Sequence, residues 1–402
     1  MHTEPAGAGL MGIPDTQVFL DDLVALRRGL HRIPELAFLE EKTADFIRRE
    51  LVRHGIAASY GGRGMGVVGR IEGRDPAAPV IALRAEMDGL PGEESTGLPF
   101  ASQHPGRVHA CGHDAHMAMV LGAARLLSRG ERPAGDVVLV FQPAEEHGGG
   151  ARVMMQAGVL AGVSAIFGGH VTHHYLTGQI MVTEGVVTAQ SDRFVLRVRG
   201  KGGHGARPHE AVDAIIVAGF LISALQTLVS RESDPIHPTV VTIGRVQAGT
   251  AANVIAEEAV LEGSIRTTVE AARDRVLRGI RRMADAAGAL HGAAVVVELV
   301  EGYPPVVNTA REASICRRAA ERVFGVRDVL PQEHPSMGSE DFAYYLHETP
   351  GCFVRLGARR EGWDYVPLHS PAFTVDEDVL PLGASYFAEV VREAQRALPR
   401  RS

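Results

Sequence analysis

Between residues 16 and 32 apolar side chains recur at helical spacing, with Val18, Leu20, Leu23, Leu26 and Leu30 on roughly one side. A second helix is expected over about 40–54, and glycines at 61, 62, 64 and 66 interrupt the chain beyond it. Short apolar runs of strand length come next, at 66–71, 80–84, 137–141 and 163–167. Helical stretches at 116–129 and 151–157 lie between several of them. Buried apolar strands alternating with helices imply an α/β layer with a mostly parallel sheet.

The pattern changes near Ser191. Phe194, Leu196 and Val198 alternate with polar or charged residues, as in a half-buried strand. An apolar helix is expected at 213–229, strands at 239–246 and 259–266, an arginine-rich helix at 269–290 and a strand at 293–300. That β-α-β-β-α-β order is the split, ferredoxin-like α+β arrangement. It reads as a domain, 187–302, inserted into a discontinuous one made of 1–186 plus 303–402. In the returning part, helices are expected at 310–324 and 382–397, with a strand at 352–356.

A chain of 402 residues is too long for one ordinary core, which fits two domains. The formal charge of −7 leaves no basic footprint for nucleic acid. No apolar run reaches about 18 residues, so no membrane span is expected. The stretch 1–14 lacks a cationic start and a long apolar run, and reads as carrying no signal peptide. Three cysteines, Cys111, Cys316 and Cys352, exclude a disulfide framework and suit a reducing cytoplasm. The 18 histidines are clustered, and the clusters direct the search for chemistry.

The densest is His109-Ala110-Cys111-Gly112-His113-Asp114-Ala115-His116. A thiolate and an imidazole two residues apart suit one borderline-soft cation, although such a run also arises as an ordinary loop around a buried cysteine. Gln142-Pro143-Ala144-Glu145-Glu146-His147 comes directly after an apolar strand. Reactive groups of open α/β sheets gather beyond the carboxyl ends of strands. Two adjacent carboxylates there could divide metal binding and proton transfer, or form a solvated acidic loop. The placement repeats: Glu86 and Asp88 after 80–84, His170 after 163–167, and His369 in the loop after 352–356. Chance explains any one of these placements, but poorly explains the set.

These segments, in this order, resemble the M20 peptidase family, and most closely its amidohydrolase branch of hippurate hydrolases, N-acyl-amino-acid hydrolases and auxin-conjugate hydrolases. The resemblance runs from about Leu26 to Ala394. It includes Leu30-His31-Arg32-Ile33-Pro34-Glu35-Leu36, Leu83-Arg84-Ala85-Glu86-Met87-Asp88-Gly89, the Cys-Gly-His-Asp segment, Gln142 to Glu146, Gly203-His204, Asn253-Val254-Ile255, Gly338-Ser339-Glu340-Asp341-Phe342 and Leu368-His369-Ser370-Pro371.

The resemblance implies a binuclear site in which Cys111, His113, Glu146, His170 and His369 hold two divalent cations. Zinc or manganese is expected, with cobalt or nickel also compatible with the donor set. Glu145 would be the general base, with Glu86, Asp88 and Asp114 in support. The inserted domain would serve as lid and dimerisation domain, His204 would stabilise the oxyanion, and Asn253 and Arg266 would hold the substrate carboxylate. The implied reaction is hydrolysis of N-acyl amino acids, by a homodimer or tetramer with no nucleic-acid partner. Two departures stand out: Glu86 where the branch often has Asp, and Ala256 where proline is usual. His173 and His174 add imidazoles of no assigned role. A dipeptidase or carboxypeptidase of the same family is the alternative enzyme, and a non-catalytic metal-stabilised binding protein is the alternative class.

Overall fold

The computed structural model describes residues 16–401; the stretch 1–14, read as free of a signal peptide, lies outside them. Two compact units are present. One comprises the chain up to Val187, Val307–Glu333 and the chain from Asp341; the other comprises Thr188–Val306 and His334–Glu340. The short return of His334–Glu340 departs from the expectation that everything after 303 stays with the first unit. Backbone bonds explain it: Ala189 N–H donates to the carbonyls of Ser336 at 2.7 Å and Gly338 at 3.1 Å.

In chain order the main elements are α1 (Thr16–His31), α2 (Glu41–Arg53), β1 (Ala57–Gly61), β2 (Gly66–Ile71), β3 (Ile81–Glu86), α3 (His113–Arg129), β4 (Val137–Gln142), α4 (Gly150–Gln156), β5 (Ala165–Leu176) and β6 (Ile180–Met181). The second unit contributes β7 (Gln190–Arg199), α5 (Ala214–Thr227), β8 (Thr239–Ala248), β9 (Glu258–Thr267), α6 (Glu270–His291) and β10 (Ala294–Glu301). The first resumes with α7 (Ala310–Phe324), β11 (Val329–Leu330), α8 (Phe342–Glu348), β12 (Gly351–Arg359) and α9 (Val379–Ala397).

The first unit is built on one eight-stranded sheet, ordered β1-β2-β4-β3-β5-β12-β6-β11. Its centre, β4-β3-β5-β12, is parallel, and antiparallel pairs flank it. Every residue of β3 and β4 is buried, which is why Val137 to Phe141 of β4 reads as an unbroken apolar run and β3 as one broken only by Arg84 before its closing Glu86. In α2 the buried Ala44, Ile47 and Leu51 mark one apolar stripe, and Gly55 at φ 71° lies just past the helix end. Each fully buried Leu or Phe of this core contributes about 1.5–3 kcal/mol over its exposed state.

The second unit is a four-stranded antiparallel sheet ordered β8-β9-β7-β10, the ferredoxin-like order expected of its β-α-β-β-α-β chain. Phe194, Leu196 and Val198 of β7 face its core, while Arg193 and Arg197 are exposed. Asp213 caps α5 by accepting the Ile215 N–H at 2.9 Å. With the turn after it, Ala214–Glu232, this helix is long and apolar enough to cross a membrane by length and composition. Packing accounts for part of that character: Val217, Leu221 and Leu225 are buried in the unit's core. Ile215, Ile216 and Phe220 are exposed, at 46%, 59% and 41%.

Candidate metal centre

The site is assembled at the carboxyl ends of β3 and β4. Glu86 closes β3 fully buried, 3.0 Å from Arg84 Nη1 and 3.0 Å from His116 Nδ1. After β4 the chain turns through Ala144, held at φ 54°. A non-glycine residue in that region is uncommon and is over-represented at functional sites. The turn delivers Glu145 and Glu146, whose backbone N–H groups donate to the two oxygens of Asp88 at 3.1 and 3.0 Å. His369, at φ 68°, donates its N–H to the Ala110 carbonyl at 2.8 Å.

Two placements differ from the sequence reading. Helix α3 starts at His113, not 116, so His113 and His116 share its first turn with rings 5.7 Å apart. Gly112 precedes it at φ 83°, where a Cβ would lie 2.4 Å from Val171 Cγ2. His170 lies within β5 and not beyond its end, paired with Arg355 of β12. The apolar run ends at Phe167, before Gly168 and Gly169. These two glycines nevertheless stay in register with Phe353 and Val354, where an added Cβ would come within 2.9 Å of Phe342 or Val354. Small residues are needed there for packing, not for turning.

The donors converge in overlapping groups. Cys111, Glu146 and His369 have ligand atoms within 4.8 Å of one another, as do His113, Glu145 and Glu146. Cys111 Sγ is 3.3 Å from His170 Nε2, and Glu146 Oε1 is 3.2 Å from His369 Nε2. His113 Nδ1 donates to the Asp88 carbonyl at 2.8 Å and His170 Nδ1 to the Val171 carbonyl at 2.7 Å. With Nδ1 committed to a carbonyl, each ring has Nε2 left to face the cluster, the nitrogen that a metal would take in place of a proton. His113 Nε2 is buried without a hydrogen-bond partner among the described residues. Such atoms are costly unless a cation meets them. A thiol, three imidazoles and a carboxylate fit divalent metal ions.

Electrostatics agree. Burial, and then the Glu146 and Glu145 carboxylates, push the Cys111 thiol well up. Burial would lower His113, but the bond to Asp88 and the charges of Glu86 and Glu146 outweigh it and raise the ring to about 10. The rise of His113, against its burial, reports surplus negative potential that favours a bound cation, and the carboxylates add to the burial of Cys111 in the same sense. Burial, reinforced by His116, holds His170 well below its usual range, hence neutral.

Supporting residues tie the cluster to the fold. His116 Nε2 accepts the Val171 N–H at 2.9 Å, fixing β5 against α3. Arg84 donates to Gln142 and Asp341, each at 2.9 Å, and Asp341 accepts the Ala151 N–H at 2.9 Å. Asp114 does not face the donors; it binds Arg27 and His31 Nδ1, both at 2.8 Å. Sequence reasoning passed over Arg84, His116 and Asp341 as individual groups. The available signal was charge inside apolar runs, which is seldom buried unpaired. His173 serves structure, bonding the Thr374 carbonyl at 2.7 Å and the Val366 N–H at 3.3 Å, while the exposed His174 meets Tyr365 Oη at 3.3 Å.

In the second unit, Gly203–His204 forms a short strand with Val254–Ile255, a pairing hidden by the glycine-rich surroundings. This brings His204 beside Asn253, whose carbonyl accepts the Gly205 N–H at 2.8 Å. His204 is exposed, and its Nδ1 accepts the Ala206 N–H at 3.1 Å. Arg266 is half-buried, donates to Ser339 Oγ at 2.7 Å and has no carboxylate partner among the described residues. Burial lowers its pKa.

Comparison with known proteins places this geometry. The family model for peptidase family M20/M25/M40 matches residues 82–393. An N-acetylcysteine deacetylase of Bacillus subtilis (strain 168) is 43% identical over 377 residues, covering 93% of this chain and 97% of that one. The IAA-amino acid hydrolase ILR1-like 4 of Arabidopsis thaliana is 39% identical over 378 residues, covering 92% and 85%. Among solved structures, a dinuclear metal-binding peptidase of the M20 family from Bacillus subtilis superposes with a TM-score of 0.83 at 39% identity, covering 95% and 100%. With a family model matched over most of its length and relatives alike over more than nine-tenths of it, the chain belongs to the M20/M25/M40 peptidase family, on its amidohydrolase branch.

Proposed function

We propose that the protein hydrolyses the amide bond of N-acyl amino acids, releasing a carboxylic acid and a free amino acid. Cys111, His113, Glu146, His170 and His369 would hold two divalent cations, zinc or manganese first, with cobalt or nickel also suited. Bound cations of this kind lower the pKa of water and polarise an acyl oxygen. Glu145 takes the proton of the attacking water and passes it to the leaving amine nitrogen. His204 donates to the oxyanion, and Asn253 and Arg266 bind the substrate carboxylate, a task suited to a forked guanidinium with no acidic partner of its own.

The observation that carries this reading is the Glu145-Glu146 pair. Both carboxylates lie in the group with His113, and Glu146 is shared with the group of Cys111 and His369. The nearness of Glu146 to Cys111 and His369 supports giving it to ligation and its neighbour Glu145 to proton transfer. The second unit is the proposed lid and dimerisation domain, in a homodimer or tetramer. The exposed Ile215, Ile216 and Phe220 of α5, with Val240 and Val246 exposed on edge strand β8, support that assembly. The free thiols of all three cysteines suit a cytoplasmic setting.

The test is metal analysis of the purified protein beside a hydrolysis screen of hippurate, N-acetyl amino acids and dipeptides. Turnover of the acylated substrates at about two metals per chain is expected. Preference for dipeptides would move the protein to the peptidase alternative. Bound metal without turnover of any amide would support the binding-protein alternative.

A further inference from the structure

Helix α2 begins with a division of labour between two glutamates. Glu35 Oε2 accepts the Thr43 N–H at 2.9 Å and the Thr43 hydroxyl at 3.0 Å, satisfying donors at the helix start. Glu40 occupies the N-cap position but its side chain makes no capping bond. It is fully buried and instead reaches 104 residues along the chain, where Oε1 accepts the Ala144 N–H at 2.8 Å. No cation pairs with it among the described residues, and Oε2 has no hydrogen-bond partner. A carboxyl in that position costs stability that the helix start does not require.

Its contact falls on the strained residue of the site. Ala144 holds φ 54°, and its N–H is the first of three in a row, at 144, 145 and 146, that donate to buried carboxyls. Glu40 takes the first and Asp88 the other two, from separate segments of the chain. The Ala144 carbonyl accepts the Gly150 N–H at 3.0 Å, closing the turn. Without Glu40, Ala144 would lose the bond that offsets its left-handed backbone.

We propose that Glu40 is a positioning residue for the Glu145-Glu146 turn, holding the Ala144 backbone so that the two carboxylates keep their separate directions. This rests on the reading of Glu145 as the base. Burial, and then the charge of Asp88, raise the Glu40 carboxyl to about 8, so a neutral amide is a close mimic of its form near pH 7.

The test compares Glu40→Ala and Glu40→Gln with the wild-type holoenzyme. The readouts are hydrogen exchange of the peptide covering 143–149, metal content, and kcat and KM on N-acetyl amino acids. Glu40→Ala is expected to speed exchange in that peptide and to lower kcat about 10- to 100-fold, the scale of a small misplacement of a reacting group. KM should stay within about twofold, since the bond lost supports the turn and not the substrate pocket, and any fall in metal content should follow the faster exchange, because Glu146 shares the turn. Glu40→Gln, which keeps the acceptor, should restore both exchange and kcat. Unchanged exchange in Glu40→Ala would overturn the proposal, as would a Glu40→Gln variant that folds, binds metal and is as impaired as Glu40→Ala. A wild type that turns over no amide would instead sink the functional reading, and exchange would still decide whether Glu40 holds the turn.

Discussion

In the first unit His113, His170 and Glu145 are 1%, 7% and 6% exposed, and each histidine has its tautomer set by a backbone carbonyl. In the second unit His204 and Asn253 are exposed, and His204 makes one side-chain bond, to a backbone N–H two residues away. His113 and His170 are thus oriented before any ligand arrives, although His369 of the same unit has an exposed side chain. The donors of the second unit must give up side-chain freedom when they engage one. Preorganised groups act at full strength in a dry site, whereas mobile ones contribute only what remains after ordering. Removing a residue of the first unit should therefore affect chemistry or metal outright. Removing one of the second should show in turnover or KM at constant metal.

The sharpest way to break that contrast is Glu145→Gln. Loss of a general base should lower kcat about 10²–10⁴-fold with metal content near wild type, measured by elemental analysis beside steady-state kinetics. Loss of both metals would show that Glu145 is a ligand. Cys111→Ala and His369→Ala should fail together, in metal and activity alike, because they share Glu146. Normal stoichiometry in either removes that residue from the site.

His204→Ala should lower kcat about 10²–10³-fold at unchanged metal content. Mixing it with Glu145→Gln subunits tests whether the donor acts across a dimer: recovered activity places it in trans, and inactive mixtures with confirmed subunit exchange place it in cis or outside catalysis. Arg266→Ala should raise KM about 10- to 100-fold, the scale of a lost charge-assisted hydrogen bond. An unchanged KM would leave Arg266 as a strand residue bonded to Ser339.

The smallest expected effect concerns support for the first unit. Burial alone would lower the pKa of His31, but Asp114 and Glu94 outweigh it and raise the ring to about 9. A raised histidine stabilises the fold fully below its unfolded pKa of about 6.5, and the contribution fades as pH rises through about 9. The wild type should lose about 3 kcal/mol between pH 6 and 10 that His31→Gln does not lose, read from urea midpoints. Parallel pH profiles for the two proteins would refute it.

Local pattern carried much of this protein. Apolar runs at β3 and β4, alternation at β7 and the β-α-β-β-α-β order were legible because each depends on neighbours within a few residues. The donor motifs were legible too, since Cys111 with His113, and Glu145 with Glu146, are close in sequence. Their roles rested on resemblance to a family and not on periodicity. Only the tertiary structure set the rest. The apolar run ends before Gly168-Gly169, yet the crowding of Phe342 and Val354 makes that pair strand interior. Gly203-His204 reads as loop, yet Val254-Ile255 completes it as a strand. Nothing near Glu40 in sequence announces that its carboxyl reaches Ala144. A hydrogen bond between residues 104 apart leaves no periodicity, and a backbone forced to positive φ at an alanine is set by the groups around it.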